Sequence, residues 1–302
     1  MPSYAYLKSR IVPIEDANIS VMTNFMHYGT AIFEGIRGNW NAEKKQLYIF
    51  RNREHYQRLL DGCRLLNIEL PHSLDDLCRL TVELVEKCGF TEDVYVRPLA
   101  YKSSEAMGVR LHGLDSDFLM FVFPWGRYID ADRARCQVSS WRFPSEVPRA
   151  KISGLYVTNA VAKTEAIDNG FDEAIMLTPD GFVAEGSGEN IFLVVDGKLV
   201  TPPASEGILI GITRATVIDL AREELGIETV ERRVTRVELY TADECFMTGT
   251  AAHVTPIAEI DRRKIADGEI GQVTARLQKL YADVILDKNP KHAGWCTPVY
   301  KK

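Results

Sequence analysis

The chain is organised around two short stretches, Lys151-Ile-Ser-Gly-Leu-Tyr156 and Glu185-Gly-Ser-Gly-Glu-Asn190. The first follows an apolar-rich run at 136–143 that predicts a buried strand. The second places an acid, Glu185, before two glycines that allow the backbone to turn tightly and to approach a ligand. Together they predict a strand that leads to a lysine, and later a carboxylate on a tight turn.

These two side chains suit one kind of chemistry. A lysine in a partly dehydrated site has a lowered pKa and can form a Schiff base with a carbonyl group. A carboxylate that faces a pyridine nitrogen keeps it protonated, which makes the ring a better electron acceptor. These are two of the main groups that a protein supplies for pyridoxal phosphate chemistry. Taken alone, however, a lysine is more often a surface charge and a glycine-rich turn is more often only a turn.

Composition restricts the class of protein. The chain has 302 residues, 46% of them hydrophobic, and a net charge of −6, which permits one large or two ordinary domains and argues against a nucleic-acid partner. Its six cysteines form no C-x-x-C pair and no metal-ligand cluster. The N-terminus lacks a signal core, and no apolar run approaches about 18 residues. We therefore expect a soluble cytoplasmic protein with no metal and no membrane partner.

Proline, glycine and a polar run at 124–133 interrupt the periodic pattern and predict a linker. We expect a small α+β domain at 1–122, an interdomain linker at 123–135, and a larger α+β domain at 136–302 that carries Lys151. Predicted strands outnumber predicted helices and hairpins recur, so the sheets are expected to be antiparallel or mixed, with flanking helices, rather than doubly wound. The predicted helices are 54–66, one that begins at a Ser73–Asp76 capping box and ends at Gly89, 155–169, 213–225 and 273–286.

Two segments and one side chain are candidates for binding a phosphate group. No Walker loop or G-x-G-x-x-G motif precedes a helix, so a nucleotide fold is not supported. Gly211-Ile-Thr-Arg214 opens a helix whose free N–H groups attract an anion, and Thr248-Gly-Thr-Ala-Ala252 offers hydroxyl groups. Arg58 could supply the cation. An ordinary threonine cap and a surface arginine remain the alternative explanations.

Taken in order, the motifs resemble the fold-type IV pyridoxal phosphate enzymes, and among these the branched-chain amino acid aminotransferases. One such motif is a weak signal, whereas seven in family order are specific and cover most of the chain. The N-terminal motifs are His-Tyr-Gly-Thr-Ala-Ile-Phe-Glu-Gly-Ile-Arg (27–37), Arg-Glu-His-Tyr-Gln-Arg-Leu (53–59), Val-Tyr-Val-Arg-Pro (94–98) and Phe-Pro-Trp-Gly (123–126). The C-terminal motifs are Glu-Gly-Ser-Gly-Glu-Asn-Ile-Phe (185–192), Ile-Gly-Ile-Thr-Arg (210–214) and Gly-Thr-Ala-Ala-His-Val-Thr-Pro-Ile (249–257).

The resemblance implies a role for each matching residue. Lys151 would be the Schiff-base lysine and the proton shuttle, with Tyr156 at the cofactor's phenolic oxygen and Glu185 at its ring nitrogen. The phosphate would be held by Arg58, Ile212, Thr213 and Thr250. The substrate would be contacted by Tyr28, Phe33, Arg37, Tyr95, Arg97, Val109, Trp125, Tyr128 and Ala251. The family donates a loop like that at 107–109 from a neighbouring subunit, which implies at least a homodimer.

The implied activity is amino-group transfer between leucine, isoleucine or valine and 2-oxoglutarate. An aromatic pocket with one arginine at its rim suits both an aliphatic side chain and the glutamate carboxylate. His253 and Ile210 depart from the family pattern, which has an acid and a proline there. A D-amino acid or (R)-selective amine transaminase and an aminodeoxychorismate lyase of the same fold remain alternatives, as does a non-catalytic carrier of the cofactor.

Overall fold

The computed structural model describes residues 3–126, 132–142 and 150–301, and these fall into two compact units. The first unit comprises residues 3–126, 150–154 and 283–301, and the second comprises 132–142 and 155–282. This division differs from the expected boundaries of 1–122 and 136–302. The five residues around Lys151 and the C-terminal segment both belong to the first unit.

The first unit is built on an antiparallel sheet of eight strands within its described residues. Its elements are β1 (Tyr4–Leu7), β2 (Arg10–Pro13), α1 (Asn24–Tyr28), β3 (Ala31–Phe33), β4 (Ile36–Asn41), β5 (Gln46–Phe50), α2 (Asn52–Leu65), α3 (Leu74–Cys88), β6 (Val94–Lys102), β7 (Ser116–Pro124) and β17 (Cys296–Pro298). The strand order is β17-β5-β4-β6-β7-β1-β2, with β3 paired to β6.

Local sequence explains most of these elements. In β7 the residues Phe118, Met120 and Val122 are buried in alternation, as a strand with one face on the core requires. The capping box predicted at Ser73 and Asp76 is confirmed, because each side chain bonds the other residue's backbone N–H at the start of α3. The sheet of the first unit therefore rests on patterns that are readable in the sequence.

The second unit contains a mixed sheet of nine strands in its described part. Its elements are β8 (Ala134–Arg142), α4 (Tyr156–Asp168), β9 (Glu173–Leu177), β10 (Val183–Gly186), β11 (Asn190–Val195), β12 (Lys198–Thr201), α5 (Ile212–Leu220), β13 (Thr229–Glu231), α6 (Arg236–Thr241), β14 (Glu244–Gly249), β15 (His253–Ile260), β16 (Arg263–Lys264) and α7 (Gln272–Ile285), the last of which extends into the first unit's range. The strand order is β10-β9-β8-β15-β14-β11-β12-β13, with β16 paired to β15. Three pairs, β8–β9, β8–β15 and β12–β13, are parallel.

The expected α+β architecture with antiparallel and mixed sheets is confirmed, as are the β9–β10 and β11–β12 hairpins. The helix expected over 213–225 is α5 followed by a π-helical turn at Ala221–Leu225. The short elements α1, α6 and β17 were not predicted, although α6 begins at a capping box formed by Thr235 and Glu238. In the described part of the chain, no helix is long and apolar enough to cross a membrane.

Candidate active site

The backbone around Lys151 is fixed by α1 and β3. The N–H of Phe33 donates to the carbonyl of Lys151 at 3.0 Å, and the N–H of Gly154 donates to the carbonyl of Gly29 at 3.2 Å. Gly29 has a φ of +64°, and a Cβ there would lie 2.5 Å from the Cα of Gly154. Only glycine allows this close approach. These long-range contacts explain why Lys151 packs with the first unit rather than with the residues that follow it.

The amine of Lys151 lies in a positively charged, partly aromatic environment. Its Nζ is 4.9 Å from the ring centroid of Phe33. Burial lowers the pKa of Lys151, and Arg58 and Arg97 lower it further, while Glu34 and Tyr95 act in the opposite direction. The net result is a lysine that releases its proton at a lower pH than a free lysine does, as a nucleophilic or basic amine requires.

Arg58 is held in place by a fully buried carboxylate. Its Nε donates to Oε1 of Glu34 at 2.6 Å and its Nη2 to Oε2 at 2.8 Å, and Nδ1 of His55 also bonds Oε2 at 2.8 Å. Burial alone would raise the pKa of Glu34, but Arg58 and His55 outweigh it and hold that pKa far below its usual range. Burial also lowers the pKa of His55. The guanidinium group of Arg58 is thereby oriented by a bidentate ion pair.

A second guanidinium group lies among aromatic rings. The Cζ of Arg97 is 4.8 Å from the ring centroid of Phe33 and 5.3 Å from that of Tyr95. Tyr95 in turn packs edge-to-face against Trp125 at 4.5 Å. The Nε of Arg97 is buried and has no hydrogen-bond partner within the described residues. A buried, unsatisfied cationic donor beside an aromatic wall fits an anionic ligand group.

The structure gives Arg37 partners other than the expected substrate. Its guanidinium group donates to the carbonyls of Gly126 at 3.0 Å and Trp125 at 2.9 Å, and pairs with Asp93 at 3.3 Å. These bonds fix the backbone that carries Trp125. The expected substrate contact of Arg37 remains a prediction, and its partners support a positioning role instead.

Tyr28 and the 107–109 loop lie together in the first unit. The N–H of Gly108 donates to the Tyr28 hydroxyl at 2.9 Å, and Val109 is 90% exposed. Tyr128, which was also expected at the substrate pocket, lies outside the described residues. The loop therefore presents Val109 to the surface of its own unit.

In the second unit, Glu185 is buried and oriented by its own turn. Its Oε2 accepts hydrogen bonds from Nδ2 of Asn190 at 2.8 Å and from the N–H of Leu209 at 3.1 Å. A Cβ at position 211 would lie 2.1 Å from Oδ1 of Asn190, which explains the glycine there. On α4, which begins at Tyr156, Nδ2 of Asn159 donates to the carbonyl of Ser187 at 2.7 Å. The helix and the turn are thus tied together.

The start of α5 has the properties of an anion site. Gly211 is the N-cap residue and has no side chain with which to cap the first turn, and Thr213 is buried. The free N–H groups and the helix dipole there favour a negative charge. Thr250 and Ala251 lie in the turn between β14 and β15, both partly exposed.

The side chain of His253, which departs from the family pattern, packs within the second unit. His253 has a φ of +58°, and its ring packs 5.5 Å from that of Tyr281. The hydroxyl of Tyr281 lies 3.4 Å from Oγ1 of Thr213. The histidine therefore contributes to the packing behind α5. Nothing in the structure explains the replacement of proline by Ile210.

The expected residues thus form two groups. Lys151, Arg58, Phe33, Tyr95 and Arg97 come together in the first unit. Tyr156, Glu185, Ile212, Thr213, Thr250 and Ala251 lie in the second. Sequence reasoning missed Glu34, His55 and Asn190. The signal for His55 was its position three residues before Arg58 on one helix, which places both side chains on the same face.

Comparison with known proteins identifies the family. The family model described as "Amino-transferase class IV" matches residues 31–260. The chain belongs to this family. A "Probable branched-chain-amino-acid aminotransferase" of Aquifex aeolicus is 49% identical to this chain. The match covers 99% of this chain and 97% of the Aquifex protein.

Solved structures of relatives superpose closely on it. A branched-chain aminotransferase from Thermoproteus uzoniensis with norvaline has a TM-score of 0.95 and 42% identity, and the match covers 99% of this chain and 100% of that one. A branched-chain amino acid aminotransferase from Thermobaculum terrenum, in its PLP-form, has a TM-score of 0.94 and 38% identity, with 99% of each chain covered. The class IV aminotransferase fold is therefore shared along the whole chain.

Proposed function

We propose that this aminotransferase uses pyridoxal 5'-phosphate to move amino groups between the branched-chain L-amino acids and 2-oxoglutarate. The observation that carries the proposal is the environment of Lys151, whose lowered pKa arises from burial and from Arg58. Full-length similarity to branched-chain aminotransferases supports the substrate class.

The residues present fit the cofactor. A phosphate group needs cationic or N–H donors, and each unit taken by itself offers one candidate: Arg58 in the first unit and the start of α5 in the second. A protonated pyridine nitrogen needs a carboxylate, which Glu185 supplies with Oε2 already oriented by Asn190. An aldehyde carbon needs an amine of lowered pKa, and Lys151 meets that requirement. We therefore assign these roles to Arg58 and Lys151 in the first unit, and to Glu185 and the start of α5 in the second.

When bound, the cofactor supplies an aldehyde that exchanges amino groups and a ring that accepts electrons from the substrate's Cα. Lys151 would hold the cofactor, and its amine of lowered pKa would accept the proton from the substrate's Cα. Glu34 fixes the guanidinium group of Arg58, which would contact the phosphate, through the bidentate contact. Phe33, Tyr95 and Trp125 form an apolar wall that excludes water from an aliphatic side chain.

Arg97 explains how one pocket accepts two kinds of side chain. Its unsatisfied Nε can bond the side-chain carboxylate of glutamate, whereas its contacts with Phe33 and Tyr95 persist when an aliphatic side chain is present. The guanidinium charge of Arg97 therefore keeps favourable contacts even when the bound side chain is neutral.

A donor panel tests the substrate class. Purified holoenzyme is mixed with L-leucine, L-isoleucine, L-valine, D-alanine and an (R)-amine, and the loss of cofactor absorbance is followed. We expect the three branched-chain L-amino acids to react fastest. A preference for D-amino acids or (R)-amines would move the enzyme to the alternative transaminase class. Borohydride reduction and peptide mapping should place the cofactor on Lys151, and a label on Lys163 would contradict its assigned role.

We also propose a homodimer. Five apolar side chains of the first unit are exposed in the single chain: Val21 (75%), Met22 (49%), Met26 (52%), Met107 (52%) and Val109 (90%). Asn24 joins the two segments that carry them, because its N–H bonds the carbonyl of Ser104 and its Nδ2 bonds that of Ala106. An apolar surface of this kind favours a second copy of the chain, and it includes the loop that carries Val109.

Sedimentation of Val21→Glu/Met26→Glu tests this surface. We expect the double variant to dissociate and to lose activity, while Val237→Glu, an apolar residue 66% exposed in the second unit, leaves the assembly intact. Dissociation by the control alone would contradict the proposed interface.

The location that we propose is the cytoplasm, which the six free cysteines, all within described residues, support.

A further inference from the structure

The second unit buries three carboxyl groups near one another. Glu173 is fully buried, Glu189 is 3% exposed and Glu185 is 6% exposed. Lys163 on α4 is ion-paired with Glu173 on β9. Ionised carboxyl groups in such a site are costly unless each is matched by a cation or by several hydrogen-bond donors.

Glu189 holds the turn that presents Glu185. Oε2 of Glu189 accepts the N–H of Gly188 at 3.1 Å, and its carbonyl accepts the N–H of Gly186 at 2.6 Å. Its carboxyl group also packs closely on two glycines, because a Cβ at Gly186 would lie 2.7 Å from Oε2 and one at Gly249 would lie 3.3 Å from Cγ. A change in the size or hydration of this carboxyl group would therefore shift the turn.

We propose that Glu189 is a positioning residue that carries a proton at neutral pH and, as a neutral acid, supports the turn on which Glu185 lies. Two carboxyl groups, Glu173 and Glu185, act on Glu189, whereas Lys163, the cation that acts on it, is already bonded to Glu173. Protonating Glu189 removes the like-charge repulsion without adding a cation.

The surrounding charges agree with this assignment. Burial raises the pKa of Glu189 to about 8, Glu173 and Glu185 add to the rise, and Lys163 and the N–H of Gly188 oppose it. Cys136 on β8 is the other titratable neighbour, and burial raises the pKa of its thiol well above the usual range, so it adds no charge.

The consequence concerns Glu185, and it rests on the proposed function, in which Glu185 must be ionised opposite the cofactor's ring nitrogen. With the proton on Glu189, that side chain brings no negative charge close to Glu185, whose Oε2 accepts hydrogen bonds from Asn190 and Leu209. A neutral Glu189 therefore favours the ionised Glu185 that the proposed function requires. Above about pH 8 Glu189 would ionise, and the turn would lose its neutral support.

Infrared difference spectra of the holoenzyme at pH 7 test the proton directly. The variant is Glu189→Gln, which is isosteric with the neutral acid, and the control is Glu206→Gln, a buried glutamate of the same unit paired with Arg233. We expect a protonated-carboxyl C=O band in the wild type and in Glu206→Gln that is missing in Glu189→Gln. An unchanged band in Glu189→Gln, or no such band in the wild type, would overturn the proposal.

Stability as a function of pH gives a second test. Between the ordinary glutamate pKa of 4.5 and about 8, the folded wild type holds a proton that the unfolded chain has lost, so its stability falls as pH rises. Relative to Glu189→Gln, its folding equilibrium constant should decline about tenfold per pH unit across that range. Parallel pH curves would contradict the proposal.

Cofactor binding completes the experiment. Glu189→Gln should retain affinity for pyridoxal phosphate within about threefold at pH 7 and should keep it at pH 9, where the wild type weakens. Failure of Glu189→Gln to fold or to bind the cofactor would overturn the proposal, since a neutral isostere should be tolerated. None of these measurements uses an amino acid substrate, so an unexpected donor preference would leave this inference unaffected.

Discussion

The first unit surrounds Lys151 with guanidinium groups, whereas the second surrounds the 185–190 turn with carboxyl groups. Arg58 and Arg97 act on Lys151 and lower its pKa, with Glu34 as the buried counter-charge. Glu173 and Glu185 act on Glu189 and raise its pKa, with Lys163 as the counter-charge. In each unit the local excess of one sign favours the neutral form of a group that carries the same sign when ionised.

The two units also provide for an anion differently. The first offers a side chain, Arg58, which a buried carboxylate orients. The second offers the backbone of α5, whose first turn has no side-chain cap. A side-chain donor is lost by a single substitution, whereas backbone N–H groups survive a change of side chain. A side-chain substitution at the anion-binding residues should therefore weaken cofactor binding more in the first unit than in the second.

The largest effect should come from Lys151→Ala. Removal of the group placed to move the Cα proton should lower the transamination rate by at least about 10² to 10⁴-fold. A coupled assay with L-leucine and 2-oxoglutarate measures it. Lys198→Ala, which removes an exposed lysine paired with Glu228, serves as the control and should retain full activity. Near-normal turnover by Lys151→Ala would show that Lys151 does not move the proton, and the first unit would then not supply the reactive amine.

Glu34→Gln should destabilise the first unit. It leaves Arg58 without its buried partner, and breaking such a pair costs about 3–5 kcal/mol. Denaturant unfolding measures the loss. Because the pKa of Glu34 is depressed, its contribution is present above pH 4.5 and disappears on acidification, so the wild type and the variant should converge at low pH.

The same variant should change Lys151. The charge of Glu34 raises the pKa of Lys151, so its removal should lower that pKa further and let the cofactor attach at a lower pH. Glu54→Gln is the matched control, because Glu54 lies on the helix that carries Arg58 and is 39% exposed in its pair with Arg51; it should cost less than about 1 kcal/mol. Equal losses in both variants would show that burial does not set the energy of the Glu34 pair.

Arg97→Ala should separate the two half-reactions. A hydrogen bond to a charged group contributes about 1.5–3 kcal/mol, so the glutamate half-reaction should slow by about 10 to 150-fold. The leucine half-reaction should change far less. Single-turnover kinetics with each amino acid measure the split. Arg97→Lys keeps the charge but not the planar donor geometry, and it should lie between the wild type and Arg97→Ala.

The smallest effect should come from Thr213→Ala. Within the described residues the Thr213 hydroxyl makes one long contact, with Tyr281, and the phosphate donors that we propose at this site are backbone N–H groups. Cofactor affinity should therefore fall by no more than about fivefold, or about 1 kcal/mol. Fluorescence titration of the apoenzyme measures it, with Arg58→Ala as the comparison that should lose much more. A larger loss of cofactor affinity in Thr213→Ala would show that the threonine side chain, and not the backbone alone, binds the phosphate, which would contradict this prediction.

Local patterns predicted much of the fold. The capping box of α3, the β9–β10 and β11–β12 hairpins and the mixed character of the sheets followed from residue spacing. The short strand β17 and the place of residues 150–154 did not. Both depend on pairing with partners more than 100 residues away, β5 for β17 and Ile32 for Ile152, and a short segment has no periodicity that would reveal this.

The candidate site divides in the same way. The sequence by itself determined which residue types are available and in what order, so that Lys151, Arg58 and Glu185 could be named from motifs. Only the tertiary structure decided what surrounds them, because Glu34 reaches Arg58, and Glu173 reaches the neighbourhood of Glu189, through the packing of separate elements. Protonation depends on burial and on the nearest charges, and those are properties of the folded chain rather than of any local stretch of sequence.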